Sequence, residues 1–271
     1  MLKRAIFGGI FVAILVVCIV LGGLYFHVLF ALMAVISLNE FYGLYRKKRI
    51  SPNVILGILI GLAFYILGSW GYSQSFLQPY LLILGIMSFP IIALSELYRK
   101  KRMPFENIGI TMLGWAYIVL PLILLNDLMW DNTQETWTNY LPVLSIFIMV
   151  WTSDTFAYLI GKNIGKHKLF ERISPNKSWE GFFGGALFAA LAGGLIAYYI
   201  NESIWVYVGL GLIIATVGTL GDLIESMLKR SLNVKDSGKI IPGHGGILDR
   251  IDAVLYVIPV VYVYFYLMSN I

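Results

Sequence analysis

The residues best suited to chemistry in this chain are acids embedded in apolar surroundings: Asp154, Asp222, Glu225, Asp249 and Asp252. An ionised side chain in a lipid-facing helix is expensive, so each is a functional candidate by default. Asp222, Glu225 and Lys229 follow at i, i+3 and i+7 and share one helical stripe. The runs carrying Asp222 and Asp249 end and begin at the same membrane level, which lets the two carboxylates converge across one cleft. Carboxylates with phosphate oxygens and water are the usual surroundings of Mg2+. Asp222 and Asp249 are therefore the candidate metal ligands. For Asp222 the competing reading is a plain ion pair with Lys229 or Arg230. For Asp249 and Asp252 it is acids complementing a helix N-terminus.

Basic residues and glycines accompany these acids. Lys229, Arg230, Lys235, Lys239 and Arg250 supply fixed positive charge around Pro242-Gly243-His244-Gly245-Gly246. Glycines in such a loop let backbone N–H groups approach an anion, and the loop runs into a helix start. His244 either donates to a phosphate or braces the loop. A second segment, Ser174-Pro175-Asn176-Lys177-Ser178-Trp179-Glu180-Gly181, also suits anion binding just before a helix, with Lys162 upstream. Ser178 fits an anion contact or an N-cap equally well. The P-loop, H-E-x-x-H and G-x-S-x-G patterns are absent.

The elements that position these residues are membrane spans. Of 271 residues 59% are hydrophobic and 13% charged, and mean hydropathy is +0.79. Soluble domains hold about 45–50% apolar and about 25% charged residues, so a soluble enzyme is excluded, as is a disordered chain. With one cysteine, Cys18, a disulfide scaffold is excluded too. A crossing helix needs about 20 apolar residues. Nine runs qualify, near 5–23, 24–43, 54–70, 77–97, 108–126, 140–161, 180–200, 203–225 and 251–268. The first lacks a small-residue cleavage site and reads as a span rather than a leader. A tight turn at Gly22-Gly23 separates it from the second.

Charge orients the bundle. With nine spans all 20 Lys and Arg residues fall on one face, and the opposite loops carry only Asp127, Asp131, Glu135 and Glu202. The positive-inside rule makes the basic face cytoplasmic, with the N-terminus inside. The expected fold is all-α, a polytopic membrane bundle. Residues 1–126 form the N-terminal spans and 127–271 the catalytic region, with long cytoplasmic loops 162–179 and 226–250. The sequence LYRKKR occurs at 44–49 and 97–102 and reads as a juxtamembrane basic cluster used twice. Glycines at 181, 184, 185, 193 and 194 favour close helix packing, inside the bundle or between protomers. His27 reads as structural.

Segment 226–252 resembles the signature of the phosphatidate cytidylyltransferases, or CDP-diacylglycerol synthases. Ser226, Lys229, Arg230, Lys235, Asp236, Gly238, Pro242, His244, Gly245, Gly246, Asp249, Arg250 and Asp252 fall on it without a gap. Ser153-Asp154-Thr155-Phe156-Ala157-Tyr158, the 174–181 segment and Gly221-Asp222 are similar to the family as well. The resemblance implies that CTP and phosphatidate give CDP-diacylglycerol and pyrophosphate at the inner membrane. It implies Mg2+ or another divalent cation, with a second cation beside it. It assigns catalysis to Asp222, Asp249, Lys229, Arg230, Lys235, Asp236, His244 and Arg250. Substrate contacts fall to Asp154, Lys162, Ser174, Asn176, Lys177, Ser178, Glu180, Lys239, Gly245, Gly246 and Asp252. A homodimer is expected, and no nucleic-acid partner. The alternatives are a CTP-dependent polyprenol or phytol kinase, which would release CDP, and an anion transporter. A transporter would place its polar groups near the midplane, whereas here they cluster at one face. A CDP-alcohol phosphatidyltransferase would need a D-G-x-x-A-R motif, which is absent.

Overall fold

A computed structural model describes residues 2–45, 50–71, 77–130, 139–240 and 245–268. The expected roles of His244 and of the basic residues 46–49 lie outside the described residues. Seven described helices are long and apolar enough to cross a membrane, and two shorter apolar helices, Ile6–Leu21 and Val54–Trp70, accompany them. The chain forms two compact units, one of Met1–Tyr140 with Ser231–Ile251, the other of Leu141–Arg230 with Asp252–Ile271.

The first unit begins with α1 (Leu2–Leu21) and α2 (Gly23–Tyr45). Gly22 and Gly23 between them adopt φ of 60° and 47°, the left-handed conformation that the expected tight turn requires. α3 (Val54–Gly71), α4 (Gln78–Arg99), α5 (Pro104–Gly114) and α6 (Leu120–Asp127) follow, with one π turn, Trp115–Val119, joining the last two into a single apolar rod. The core lies along α2, where Phe26, Phe30, Leu38, Phe41 and Tyr42 are buried. The Tyr42 hydroxyl donates to the Thr111 carbonyl at 2.7 Å. Gly57 and Gly114 leave room for its ring, since a Cβ on either would overlap it. Trp115 Nε1 donates to the Gly57 carbonyl at 2.7 Å, so a buried polar ring edge is satisfied without water. The chain entering α3 is held by polar groups of α4 and α5. Asn107 Oδ1 accepts from the Ser51 amide at 2.7 Å, and Asn107 Nδ2 donates to Glu96 at 3.1 Å. Arg99 pairs with the same Glu96 and donates to the Ser51 carbonyl.

The second unit contains α7 (Tyr140–Ile164), the strands β1 (Lys168–Phe170) and β2 (Ser174–Ser178), α8 (Trp179–Ile200), α9 (Ile204–Ser231) up to Arg230, and α10 (Leu248–Met268) from Asp252. The glycines of α8 pack inside this unit. A Cβ on Gly181 would strike the Ala157 carbonyl, on Gly184 the Ile160 side chain and on Gly185 the Ser153 carbonyl, all on α7. A Cβ on Gly193 would strike the Tyr207 carbonyl of α9. The residues Phe183, Leu187, Leu191 and Leu195, four apart on the other side of α8, are exposed. A helix with a glycine seam inward and a leucine stripe outward fits a lipid-facing position in a bundle. α9 meets α10 through Gly221, whose Cα faces the Tyr256 ring, and through the Tyr264 hydroxyl, which donates to the Val206 carbonyl at 2.8 Å.

Two elements depart from the expected outline. α9 has 28 residues and runs to Ser231, not 225. At 1.5 Å per residue it is about 42 Å long, more than the roughly 30 Å hydrocarbon core needs. Lys229 and Arg230 are therefore helical, not part of a loop. Within 162–179, expected to be irregular, β1 and β2 pair antiparallel, with Lys168 opposite Ser178 and Phe170 opposite Ser174. The Ile173 amide closes the turn on the Phe170 carbonyl, and the Trp179 amide bonds the His167 carbonyl at 2.9 Å. Strands of three and five residues carry too little apolar alternation to be visible in the sequence.

Candidate active site

A cavity of about 680 Å³ opens in the second unit, a size typical of small-ligand sites. The C-terminal half of α7 supplies Asp154, Tyr158, Gly161 and Lys162. The hairpin supplies Lys168, Ser174, Asn176, Lys177 and Ser178, and α9 supplies Thr219 and Asp222. Six residues expected at the site from sequence, Asp154, Lys162, Ser174, Asn176, Lys177 and Ser178, thus share one wall with Asp222. Lys168, Thr219, Gly161, Gly165 and Phe182 also line it and were not expected. Three lysines face two aspartates. The balance is positive, and the cavity attracts anions.

Its charges are held in specific pairs. Lys177 Nζ lies 2.5 Å from Asp222 Oδ2 and 3.5 Å from the Thr219 carbonyl. Ser226 Oγ donates to Asp222 Oδ1 at 3.4 Å. Lys229 pairs with Glu225, one turn below it on α9. The competing reading, an ion pair of Asp222 with Lys229 or Arg230, is not the pairing that forms. Asp222 takes Lys177 from the hairpin, and Lys229 takes Glu225, because four residues is the spacing at which two side chains meet on a helix. Lys162 Nζ sits 5.9 Å from the centre of the Tyr158 ring.

Asp222 also belongs to an acidic cluster. Oxygens of Asp222, Glu225 and Asp252 all lie within 4.8 Å of one another. Three hard carboxylate donors at this spacing suit Mg2+ or Ca2+, which take oxygen ligands, and fit the divalent cation expected from sequence. Glu225 is almost fully buried and Asp222 and Asp252 partly so. Burial of that many acids demands positive charge, which Lys177 and Lys229 provide here. Asp252, expected as a substrate contact, is a member of this cluster, and Glu225 joins it too.

Ser178 caps α8. Its backbone is extended, with φ −125° and ψ 158°, and its Oγ accepts from the Gly181 amide at 3.2 Å. Of the two roles open to it, the structure fills the cap. Glu180 turns away from the cavity lining and binds His167, at 2.6 Å to Nδ1 and 3.2 Å to the backbone amide. It anchors the start of the hairpin, a job its position at the helix N-terminus favours.

The remaining expected residues lie in the first unit, on 231–251. Lys235, Asp236, Lys239 and Arg250 are exposed. Asp249 accepts from the Ser237 amide at 2.9 Å and from the Gly246 amide at 2.8 Å. The anion met by the Gly246 N–H is therefore Asp249 itself. Gly245 has φ +83°, and a Cβ there would overlap Asp249 Oδ2. Asp249 ties two points of the loop together, and Asp252, one turn further along α10, is the member of the second unit's cluster. Glu40, on α2, was missed altogether, although its carboxylate reaches the same loop. A lone acid six residues before a basic cluster gives no sequence signal of such a partner about 200 residues away.

A helical membrane protein with a basic cavity beside a metal-competent acidic cluster belongs to the class that handles phosphate at a bilayer. The comparisons with known proteins narrow that class. A model of the Cytidylyltransferase family matches residues 2–268. The chain is 36% identical over 243 residues to a phosphatidate cytidylyltransferase of Staphylococcus aureus (strain COL), covering 88% of each chain. It is 37% identical over 243 residues to that of Staphylococcus saprophyticus and 34% identical over 241 to that of Staphylococcus epidermidis, again over 88% of each. The chain belongs to the cytidylyltransferase family.

Proposed function

We propose that the chain transfers the cytidylyl group of CTP to phosphatidate. An oxygen of the lipid's phosphate monoester forms a bond to the α-phosphorus of CTP, the bond to the β-phosphate bridging oxygen breaks, and pyrophosphate leaves with CDP-diacylglycerol as product. The attacking oxygen is already ionised at neutral pH, so no strong general base is required. The protein's task is to hold two polyanions in line and to offset their charge.

The observation that carries this reading is the Lys177–Asp222 pair on the cavity wall, with Asp222 also in the acidic cluster. Lys177, Lys162 and Lys168 present ammonium groups to phosphate oxygens. An arriving phosphate competes with Asp222 for Lys177, and Asp222, partly exposed, is then free to take a cation. Asp222, Glu225 and Asp252 are the residues that would hold the divalent cation, with Asp249 assigned by the signature to the same chemistry. When bound, such a cation supplies charge neutralisation to phosphate oxygens. On 231–251, Lys235, Lys239 and Arg250 are assigned to substrate phosphates, and Asp236, His244 and Arg230 keep the roles their signature positions imply.

The enzyme crosses the membrane nine times with its N-terminus and active site in the cytoplasm, and works as a homodimer. All 20 Lys and Arg residues on one side of nine spans support the orientation. The acyl chains stay in the bilayer while the head group enters from the side. The test is purified protein with cytidine-labelled CTP and phosphatidate, with and without Mg2+. Mg2+-dependent labelled CDP-diacylglycerol with equimolar pyrophosphate is expected. Release of CDP with a phosphorylated lipid alcohol would replace the reading with the kinase alternative.

A further inference from the structure

α10 begins without a cap of its own. The residue before its first turn is Ile247, whose side chain has no acceptor for the unpaired amides of a helix start. Those amides are buried, and a buried N–H left without an acceptor is costly. The acceptor comes from another helix. Glu40 of α2 takes the Leu248 amide on Oε2 at 2.9 Å and the Ile247 amide on Oε1 at 3.2 Å. Ser237 Oγ donates to the same carboxylate at 3.3 Å. Glu40 is 5% exposed, and among the described residues no Lys, Arg or His forms an ion pair with it. Its charge is met by backbone dipoles and one hydroxyl.

The glycines of the loop fit around this carboxylate. A Cβ on Gly238 would overlap Glu40 Oε1, and a Cβ on Gly246 would overlap Oε2 and Ser237 Oγ. At Gly238 the nearest atoms all belong to Glu40, and its φ lies outside the left-handed region. The signature's small residue at 238 is therefore required by Glu40, not by backbone conformation. Asp249 holds the loop through Ser237 N and Gly246 N, and Glu40 holds it through Ser237 Oγ, Ile247 N and Leu248 N. The two acids hold Ser237, Gly246, Ile247 and Leu248 at five points.

We infer that Glu40 is a positioning residue for the reaction: from the second helix it fixes Ser237, Ile247 and Leu248 and so sets where Lys235, Asp236, Asp249 and Arg250 stand. This gives the N-terminal helices a part in catalysis beyond anchoring. The inference rests on the transferase reading. Wild-type turnover of CTP and phosphatidate tests that reading alone, whereas the grip of Glu40 can be measured with no turnover at all.

The experiment is a double-mutant cycle of Glu40→Ala and Gly238→Ala in the detergent-purified full chain. Gly238→Ala alone should lower kcat by about 100-fold, the scale of a misplacement near 1 Å, with KM for CTP changed less than threefold. In the Glu40→Ala background, which is itself impaired, the added methyl should cost less than threefold, because the group it strikes is gone. Hydrogen exchange at Ile247 and Leu248 amides should quicken in each single variant. Additive kinetic effects would overturn the inference, as would wild-type kcat in Glu40→Ala. Should Glu40→Ala fail to fold, Gly238→Ala and Glu40→Gln decide it: unchanged exchange at those two amides in both would end the proposal, and faster exchange with reduced kcat at preserved KM would uphold it.

Discussion

The two units treat buried acids in opposite ways. In the second unit, Asp222 and Glu225 are neutralised by lysine side chains, Lys177 and Lys229. In the first, Glu40 and Asp249 are met by backbone amides. The difference is one of exchangeability. A lysine on a four-carbon stem swings to a better anion at little cost in structure, whereas a peptide N–H moves only if the loop moves. Acids paired with lysines can therefore change partner when phosphates arrive, and acids on amides hold their surroundings still.

The largest effect should follow from breaking the exchangeable side. Asp222→Asn removes one carboxylate from the acidic cluster and the partner of Lys177. Turnover should fall by about a thousandfold or more, equivalent to several kcal/mol of lost charge stabilisation. The fold should persist, because Asp222 is half-buried and asparagine keeps its shape. Size-exclusion elution in detergent and labelled-CTP turnover check both parts. An active Asp222→Asn protein would remove the cluster from the chemistry.

Asp249→Asn comes next. Asparagine leaves both amides to one uncharged oxygen and sets an NH2 donor against the Ser237 amide, which the other carboxylate oxygen meets at 3.1 Å. Turnover should fall by about 100-fold, together with faster hydrogen exchange at those two amides. Asp222→Asn should leave the same amides unaffected. If Asp249→Asn kills turnover with exchange unchanged, Asp249 acts on substrate or cation directly and the contrast between the units narrows.

Lys177→Met sharpens the comparison without destroying it. Methionine matches the aliphatic stem and removes the ammonium. KM for CTP should rise by about tenfold as the cavity loses one of three lysines. At the same time the Mg2+ concentration for half-maximal rate should fall, because Asp222 loses its competing cation. Opposite shifts for nucleotide and metal are the signature of an exchangeable pair. Parallel shifts would show that Lys177 serves only to hold the wall together.

The sequence made some of this legible and hid the rest for definite reasons. Apolar runs of about 20 residues announce helices, and the described helices start and stop within a few residues of the expected spans, α9 excepted. Its last turn reads as loop because Lys229, Arg230 and Ser231 end the hydrophobic run, although lysine and arginine are good helix formers. Asp154, Lys162, Asn176 and Lys177, which line one cavity, were singled out as an acid inside a span, an anion-suited segment before a helix, and the substrate contacts that the resemblance implies. Their pairing was not, because Lys177 and Asp222 are 45 positions apart and helix spacing favours the nearer Lys229. Asp249 and Asp252 lie one turn apart and are indistinguishable by spacing from Asp222, so the place of Asp252 beside Asp222 and Glu225 was not legible. Glu40 was invisible because capping in trans leaves no local pattern.

The smallest expected effect separates two jobs of one side chain. Ser178 Oγ caps α8, and it also fills a niche bounded by Gly161, Gly165 and Gly181, where a Cβ on any of the three would crowd it. Ser178→Ala removes the cap alone. Loss of an N-cap costs about 1 kcal/mol, and the hairpin start keeps the Trp179–His167 bond and the Glu180–His167 contacts. The melting midpoint should drop by a few degrees, with KM for CTP rising less than threefold. Ser178→Val introduces β-branching, which suits a strand end, but replaces Oγ with a methyl and drives a second methyl into the glycine niche. It should lower both stability and CTP affinity well beyond the alanine variant, because Lys177 is the next residue and shares the displaced backbone. Equal effects of the two substitutions would show that the glycines at 161, 165 and 181 are not there to seat this side chain, and that the hairpin holds Lys177 in place without it.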